Sequence, residues 1–493
     1  MKIKEIKVSD IAVFGFGREG KSTLLFLFKL GKKRVSLFDE KEEVLFDFIK
    51  FLVDLENTLD FEVKKGEFGY EGKVKLLYKQ KKVTIKFYFG DIDYRLFTDF
   101  DAIIKTPGIS PYNDKYANFR EKFISQTTIF KDNYKGKVIG ITGTKGKSTI
   151  STLIYECLKE AGFDTKLVGN IGKPVLDQIN ILEKTKYDYV VYEMSSYMLE
   201  DHSPKNYISI LNNIYECHID RHGSFEAYKK AKANILSSAK YSLINYDFRD
   251  MEPVKRQDKS IVFHFGRAGD YRYEDGEFLK GKNRILKDKN ILLKGEHNKR
   301  NITAVLGVLD IILKDKKKVK KVLSSVLQTF SGLPHRIQNI GTYKGITFID
   351  DAIAVAPEST IEAMKTFSSE IGTLFLGGQD RGDSEKHFEE LEKKIIELDI
   401  QNLVLFPDTG YKIFEKYTKN LEEEKSHTIE IGDYKAKIIK TRTMKKGVSF
   451  AYKHTKEGKI ALLSCASPSF SLWKNYEEKG NLFQQEVQEQ GKE

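Results

Sequence analysis

A chain of 493 residues is long enough for about three domains of ordinary size, each able to bury a core of its own. Its 40% hydrophobic and 31% charged content excludes a disordered chain, and no apolar run reaches the roughly 18 residues a membrane-spanning helix needs. The net charge of +12 is spread along the chain without a nucleic-acid-binding module, so it reads as a lysine-rich solvated surface or, more sharply, as attraction for polyanionic nucleotides.

Taken in chain order, DIAVFG (10–15) is an apolar strand followed by a glycine-rich turn and the helical stretch STLLFLFKLG, and RVSLFD (34–39) is the next strand. Continuous apolar runs of this kind suit parallel strands buried on both faces. Residues 60–95 are rich in lysine and aromatics, and patches such as KVTIKFYF predict extra β structure within the first domain. DAIIKTPGIS (101–110) repeats the strand-then-turn pattern. A second unit opens at KGKVIGITGTKGKST (135–149) and continues through YDYVVYEMSS (187–196) and YISILNN (207–213). A third follows GLPHR (332–336), with strands at ITFIDD, IGTLFLGG, NLVLFP and KIALLS, helices at APESTIEAMKTF and HFEELEKKIIEL, and a helical polar tail after Phe483. Strand–helix alternation throughout predicts an α/β protein whose ligand sites lie at the carboxyl ends of strands. The expected domains are 1–132, 133–332 and 333–493. Three cysteines without metal-ligand spacing (Cys157, Cys217, Cys465) and an N-terminus without signal-peptide features point to a reducing cytoplasm.

Two stretches have the chemistry of phosphate loops. In GFGREGKS (15–22), Gly15, Gly17 and Gly20 fit GxGxxG, while Gly15, Gly20, Lys21 and Ser22 fit GxxxxGKS. Either pattern brings backbone N–H groups to phosphate oxygens at a helix N-terminus. GITGTKGKST (140–149) departs from the usual spacing, with Ile141 five residues before Gly146, yet it is the stronger ATP candidate. Lys147 can neutralise the β and γ phosphates and the Ser148 hydroxyl can ligate Mg2+. Downstream lie Glu193 at a strand end, His218, and Lys232 on a helix, the parts a metal-dependent phosphoryl-transfer site requires. The first loop is followed instead by Asp39, about 20 residues on, where an acid that binds ribose or base is expected. It therefore suits a different nucleotide-linked ligand.

With these motifs in order, the chain resembles the Mur ligase family, and within it the branch that adds D-glutamate. The resemblance runs nearly end to end through GFGREGKS, KTPGIS, GITGTKGKST, GNIGKP, YEMSSYMLE, ECHIDRHGSFEAYKKAK, KGEHNKRN, GLPHR, GGQDRGD and SCASPSFSLWKNYEEKGN. It implies a Rossmann-like N-terminal domain, a central P-loop ATPase-type domain with a parallel sheet, and a Rossmann-like C-terminal domain. It also implies a peptidoglycan-precursor ligase that uses ATP to phosphorylate the L-alanyl carboxylate of UDP-N-acetylmuramoyl-L-alanine, after which the amine of D-glutamate displaces phosphate. Residue by residue, the resemblance assigns Gly143, Thr144, Lys145, Gly146, Lys147, Ser148 and Thr149 to the ATP phosphates. Asn298 and Asn301 are assigned to the adenine, and Arg336 and Asp351 to the ATP ribose and phosphates. Ser148 and Glu193 would ligate one Mg2+ and His218 a second. Lys232 would carry a CO2-derived carbamate that helps to hold the metal. The UDP end would meet Gly17, Arg18, Glu19, Asp39, Thr106, Pro107 and Gly108, and the muramoyl-alanine part Asn170 and Ser195. D-Glutamate would meet Arg381, Ser469 and Tyr476, a cation and hydroxyls suited to two carboxylates. The expected partners are these small molecules, with no nucleic acid and no membrane insertion, for a chain acting as a monomer.

Four positions depart from the family pattern. Cys217 stands where an Asp usually precedes the histidine, Met198 replaces a Gln, and Ile353 and Val355 replace a Lys and a Thr. The competing readings are a Mur ligase adding L-alanine and a nucleotide-binding sensor without catalysis. A nicotinamide-dependent oxidoreductase, suggested by GxGxxG alone, leaves the second loop unexplained.

Overall fold

The computed structural model describes residues 1–55, 59–169, 174–178, 187–200, 203–251, 260–289, 291–293, 295–380 and 385–492. They divide into two compact units, Met1–Phe330 and Ser331–Glu493; the first holds two sheets and the second one. The architecture is α/β throughout.

The first sheet comprises β1 (Ile11–Phe14), β2 (Arg34–Asp39), β3 (Leu59–Gly66), β4 (Gly69–Tyr78), β5 (Lys81–Phe89), β6 (Ala102–Lys105) and β7 (Phe123–Ile124), in the order β3-β4-β5-β2-β1-β6-β7. From β5 through β7 neighbouring strands are parallel, and the apolar runs seen in the sequence are the buried central strands. Residues 60–95 do form β structure: β3 and β4 extend the sheet antiparallel from β5. The two-residue turn into β5 is made by Lys79 and Gln80, both at positive φ (48° and 66°), the geometry that matches hairpin twist. The helix Arg18–Lys29 buries Leu24, Leu27 and Phe28 in the core beneath this sheet.

The second sheet runs β16-β15-β14-β13-β12-β11-β8-β10-β9, from β8 (Val138–Thr142), β9 (Thr165–Gly169), β10 (Tyr189–Glu193), β11 (Ile208–Leu211), β12 (Tyr241–Asn245), β13 (Ile261–Gly266), β14 (Tyr271–Glu274), β15 (Glu277–Lys280) and β16 (Asn283–Lys287). Its strands pair in parallel from β9 through β14, and β15 pairs antiparallel with both β14 and β16. Helices Lys147–Glu160 and Glu296–Leu313 share its core through Leu153, Ile154, Val305 and Leu309.

In the second unit, β17 (Gln338–Tyr343), β18 (Ile346–Asp350), β19 (Ile371–Leu376), β20 (Asn402–Leu405), β21 (Ser426–Ile431), β22 (Tyr434–Lys440) and β23 (Ile460–Leu463) form a sheet in the order β17-β18-β23-β19-β20-β22-β21. Its middle is parallel and both edges are antiparallel. The predicted tail is the helix Tyr476–Lys492. Among the described residues no helix is long and apolar enough to cross a membrane.

Each sheet reverses its strand order beside one central strand: β1 between β2 and β6, β8 between β10 and β11, and β23 between β18 and β19. Such switch points open a crevice at the strands' carboxyl ends, where open α/β sheets bind ligands. Gly17–Glu19, Thr106–Gly108 and Gly143–Thr149 follow closely on β1, β6 and β8, Asp39 and Glu193 end β2 and β10, and Asp351 follows β18.

Candidate active site

The segment after β8 is folded as a cradle. Gly146 takes φ +80° and caps the helix Lys147–Glu160 without a side-chain bond, leaving the first N–H groups of that helix for an anion. A Cβ on Gly146 would meet Asn212 Nδ2 at 2.5 Å and Asn301 Oδ1 at 2.7 Å, so no larger residue fits. The cradle is stitched to the end of β11: Thr144 N donates to Asn213 O (2.8 Å), Lys145 N to Asn213 Oδ1 (2.8 Å), and Asn212 Nδ2 to Lys145 O (2.9 Å). Lys147 Nζ folds over the loop, donating to the carbonyls of Gly143 and Thr144 at 3.0 Å each. Asn212 and Asn213 were missed as site residues, because a polar pair ending YISILNN looks like any strand-to-loop transition. The one available signal was its place at a strand end.

Asn301 lies beneath this loop. It is buried, its Oδ1 accepts from Asn212 Nδ2 (3.1 Å), and its Nδ2 donates to Asn298 Oδ1 (3.2 Å). The pair expected at the adenine thus touches the phosphate end of the cradle through Gly146.

Lys232, on the helix Phe225–Ala233, is 2% exposed and points its Nζ at Gly143 O (2.8 Å). Burial and the neighbouring Lys147 ammonium hold its amine well below the ordinary lysine range, against the opposing pull of Cys217 and Glu193. Glu193 closes β10 and is fully buried. One turn earlier on the same helix, Tyr228 Oη bonds Thr144 Oγ1 (2.9 Å), and its ring lies 4.9 Å from Lys232 Nζ. His218 occupies the left-handed region (φ 57°), a conformation that a non-glycine residue keeps only when its surroundings hold it. Its Nδ1 lies 3.0 Å from Tyr197 Oη.

The structure therefore brings Lys147, Glu193 and Lys232 together around one loop. Among the described residues no three His, Cys, Asp or Glu side chains form a metal cage. The donors the resemblance assigns are the buried Glu193 carboxylate, the Ser148 hydroxyl and the His218 imidazole, whose ring lies 6.2 Å from that of Tyr228 beside the cradle. That set fits Mg2+, which commonly takes one or two protein carboxylates and fills its remaining positions with substrate phosphates and water.

The first sheet's crevice is equally specific. Gly15 (φ +96°) packs so closely on Thr106 that a Cβ would stand 2.2 Å from Thr106 Oγ1, and a Cβ on Gly20 would stand 2.0 Å from Gly15 O. Gly17 faces open space at the N-terminus of its helix. Arg18 and Glu19 form the first turn, and burial pushes the Glu19 carboxyl up to about 7 against the pull of Arg18 and Lys105. Asp39 accepts from the N–H groups of Phe16 (2.7 Å) and Lys41 (3.1 Å); burial raises its carboxyl from the ordinary value despite both bonds. It fixes the glycine turn as well as lining it. The segment Thr106–Gly108 is tied across to the second sheet. Arg221 donates to Gly108 O (2.8 Å), Ile109 O (3.0 Å) and Glu200 Oε1 (2.7 Å), and Lys105 Nζ reaches the same carboxylate oxygen at 3.1 Å. Ser195 caps the turn after Glu193, accepting from Met198 N. Asn170 lies outside the described residues.

In the second unit, Asp351 accepts from Ser464 Oγ (2.8 Å) and Ile337 N (3.2 Å), and burial raises its carboxyl to about 7. His335 bonds Asp350 at 2.7 Å, bracing the GLPHR turn where His335 and Ile337 both take positive φ. Arg336 lies close enough to Asp351 to pull its carboxyl down. Ser469 is 2% exposed and its Oγ finds no hydrogen-bond partner among the described residues. Tyr476 opens the last helix with its ring 6.2 Å from that of His335. Arg381 lies outside the described residues.

Comparison with known proteins fits this geometry. Residues 141–309 match the Mur ligase middle domain. A UDP-N-acetylmuramoylalanine–D-glutamate ligase of Buchnera aphidicola is 32% identical over 81% of this chain and 87% of its own length. The enzymes of that name from Clostridium kluyveri (30% identical, 98% and 97% covered) and Acetivibrio thermocellus (29%, 98% and 97%) align almost end to end. Among solved structures, a UDP-N-acetylmuramate–alanine ligase of Thermotoga maritima shares the fold (TM-score 0.53, 18% identity, covering 98% of this chain and all of that one). A MurF ligase of the same organism, solved with ADP, does so less fully (TM-score 0.50, 19%, 80% and 91%). With a cradle, a buried acid and a depressed lysine at one switch point, and with these relatives spanning the chain, the protein belongs to the Mur ligase family, among the UDP-N-acetylmuramoylalanine–D-glutamate ligases.

Proposed function

We propose that the chain joins D-glutamate to UDP-N-acetylmuramoyl-L-alanine at the expense of ATP, in peptidoglycan precursor synthesis. A carboxylate oxygen is a poor leaving group, so the L-alanyl carboxylate first attacks the γ-phosphorus of ATP and ADP departs. The amine of D-glutamate then adds to the acyl carbon, loses a proton, and expels phosphate. Both steps gather negative charge, which preorganised cations and N–H groups stabilise. Lys147 and the N–H groups of 143–149 hold the ATP phosphates, with Asn301 and Asn298 setting the loop from below. Ser148, Glu193 and His218 would hold Mg2+, which would offset phosphate charge when bound. Burial favours the uncharged form of the Lys232 amine, the form that attacks CO2 and loses a proton to become a carbamate whose oxygens would add an anionic donor.

Residues 1–132 take the UDP end at 17–19, Asp39 and 106–108, residues 133–332 bind ATP, and residues 333–493 take D-glutamate through Arg381, Ser469 and Tyr476. The three cysteines are free thiols, which supports a reducing cytoplasm. The observation that carries the reading is the buried Lys232 amine bonded to the cradle carbonyl of Gly143, within electrostatic reach of Lys147 and Glu193, since a plain nucleotide sensor has no use for a desolvated amine there. An amino-acid panel tests it. With UDP-N-acetylmuramoyl-L-alanine, ATP and Mg2+, phosphate release and product mass should appear with D-glutamate. Product only from L-alanine and unextended UDP-N-acetylmuramate favours the L-alanine-adding reading, and ATP binding without product in any combination favours the sensor.

A further inference from the structure

We propose that Tyr197 is the positioning residue for His218, presenting its Nε2 to the metal. The inference rests on the reading of His218 as a metal ligand. A ligating imidazole needs its second nitrogen protonated and held, because that partner fixes both tautomer and ring direction. Here Nδ1 lies 3.0 Å from Tyr197 Oη, and the rings meet edge-on with centroids 5.2 Å apart. With Nδ1–H donating to the phenol oxygen, Nε2 is the nitrogen that carries the lone pair a metal needs. With the reverse donation Nε2 carries the proton and cannot. Metal at Nε2 therefore selects the first arrangement, and the tyrosine rewards it with a bond.

Tyr197 is itself held. The Arg221 guanidinium lies 4.0 Å from its ring centroid, and that cation is fixed by buried Glu200 and by the carbonyls of Gly108 and Ile109. A carboxylate adjoining the histidine in sequence is one way to supply such support; Cys217 occupies that position and bears no carboxylate. The aromatic hydroxyl reaches Nδ1 from the turn after β10 instead. Because Arg221 also grips the 106–109 segment, the imidazole keeps a fixed relation to the crevice of the first sheet, where the UDP-linked substrate is expected.

The test is Tyr197→Phe, which keeps the ring and its stack on Arg221 and removes one oxygen. Mn2+ serves as the probe, its binding to the full-length protein measured by electron paramagnetic resonance in the presence of a non-hydrolysable ATP analogue. Loss of such a supporting partner is expected to weaken Mn2+ binding by roughly 10- to 100-fold. Metal-free binding of the analogue should stay within about twofold, and turnover should fall at limiting Mg2+ and recover at saturating Mg2+, a pattern that loosened packing alone would not give. His218→Ala separates the two layers of the argument. If it leaves Mn2+ affinity intact, His218 is not a ligand and both the reading and this inference fall. If it weakens Mn2+ while Tyr197→Phe binds as the native protein does, the ligand reading stands and the positioning role of Tyr197 is overturned.

Discussion

Gly20→Ala puts the geometry of the first glycine loop to a quantitative test. A Cβ at this position would stand 2.0 Å from Gly15 O and 3.0 Å from Gly15 C, both backbone atoms. The shortfall from an ordinary non-bonded contact is more than about 1 Å, so the helix start or the turn has to move. Overpacking of this kind costs about 1–3 kcal/mol, which lowers the unfolding midpoint by roughly 1–4 °C if the unit Met1–Phe330 unfolds cooperatively. If the turn yields, its N–H groups leave the position that suits a diphosphate. The same energy then weakens UDP-N-acetylmuramoyl-L-alanine binding by about 5- to 140-fold. Gly17→Ala is the control: Gly17 lies at φ −67° and a Cβ there meets nothing within 4 Å. That variant should unfold at the native temperature. It should still bind the UDP substrate less well, since the added methyl stands where the diphosphate approaches. Calorimetric unfolding and isothermal titration read both quantities, and titration of an ATP analogue, held by the other loop, should change for neither variant. A Gly20→Ala protein with native midpoint and native affinity would refute the reasoning.

Lys232→Ala should lose at least about 100-fold in turnover while keeping ATP-analogue affinity. Removing CO2 from the buffer should slow the native enzyme, with bicarbonate restoring it, and near-native turnover of the variant would dismiss the carbamate role. Glu19 is raised from 4.5 to about 7, so between those values the native state binds a proton that the unfolded chain releases, and this group's contribution to stability falls as pH rises through that window. Glu19→Gln should therefore gain little over the native protein near pH 4.5 and most above pH 7, up to about 3 kcal/mol; a difference that does not change with pH would contradict it. Ser469→Ala removes a buried hydroxyl with no partner among the described residues, so thermal stability should hold or rise slightly while KM for D-glutamate increases. An unchanged KM would take Ser469 out of the amino-acid pocket.

What was legible in the sequence follows from where the physics is local. A strand buried on both faces has to be apolar along its length, so IAVF, AIIK, VIGIT and ISIL announced themselves. A phosphate cradle needs glycine and lysine at short spacing, so 143–148 did too. The alternation in KVTIKFYF reported a strand with one wetter face, now β5. Other site residues act through contacts between distant segments and leave no local trace. Asn212 and Asn301 meet across 89 positions, and Arg221 reaches Gly108 across 113. Tyr197 reads as one more aromatic in a helical turn until His218 is seen beside it. The arm β14–β16 was also missed, because its strands of four or five residues are too short for a periodicity to declare itself.

The central claim is that the bond to D-glutamate is made through phosphorylation of the substrate's own carboxylate. UDP-N-acetylmuramoyl-L-alanine with both carboxylate oxygens replaced by 18O measures this directly, with D-glutamate, ATP and Mg2+ supplied and the released phosphate weighed by mass spectrometry. The account predicts one labelled oxygen in each phosphate and the other retained in the new amide. Unlabelled phosphate accompanying amide formation would contradict it.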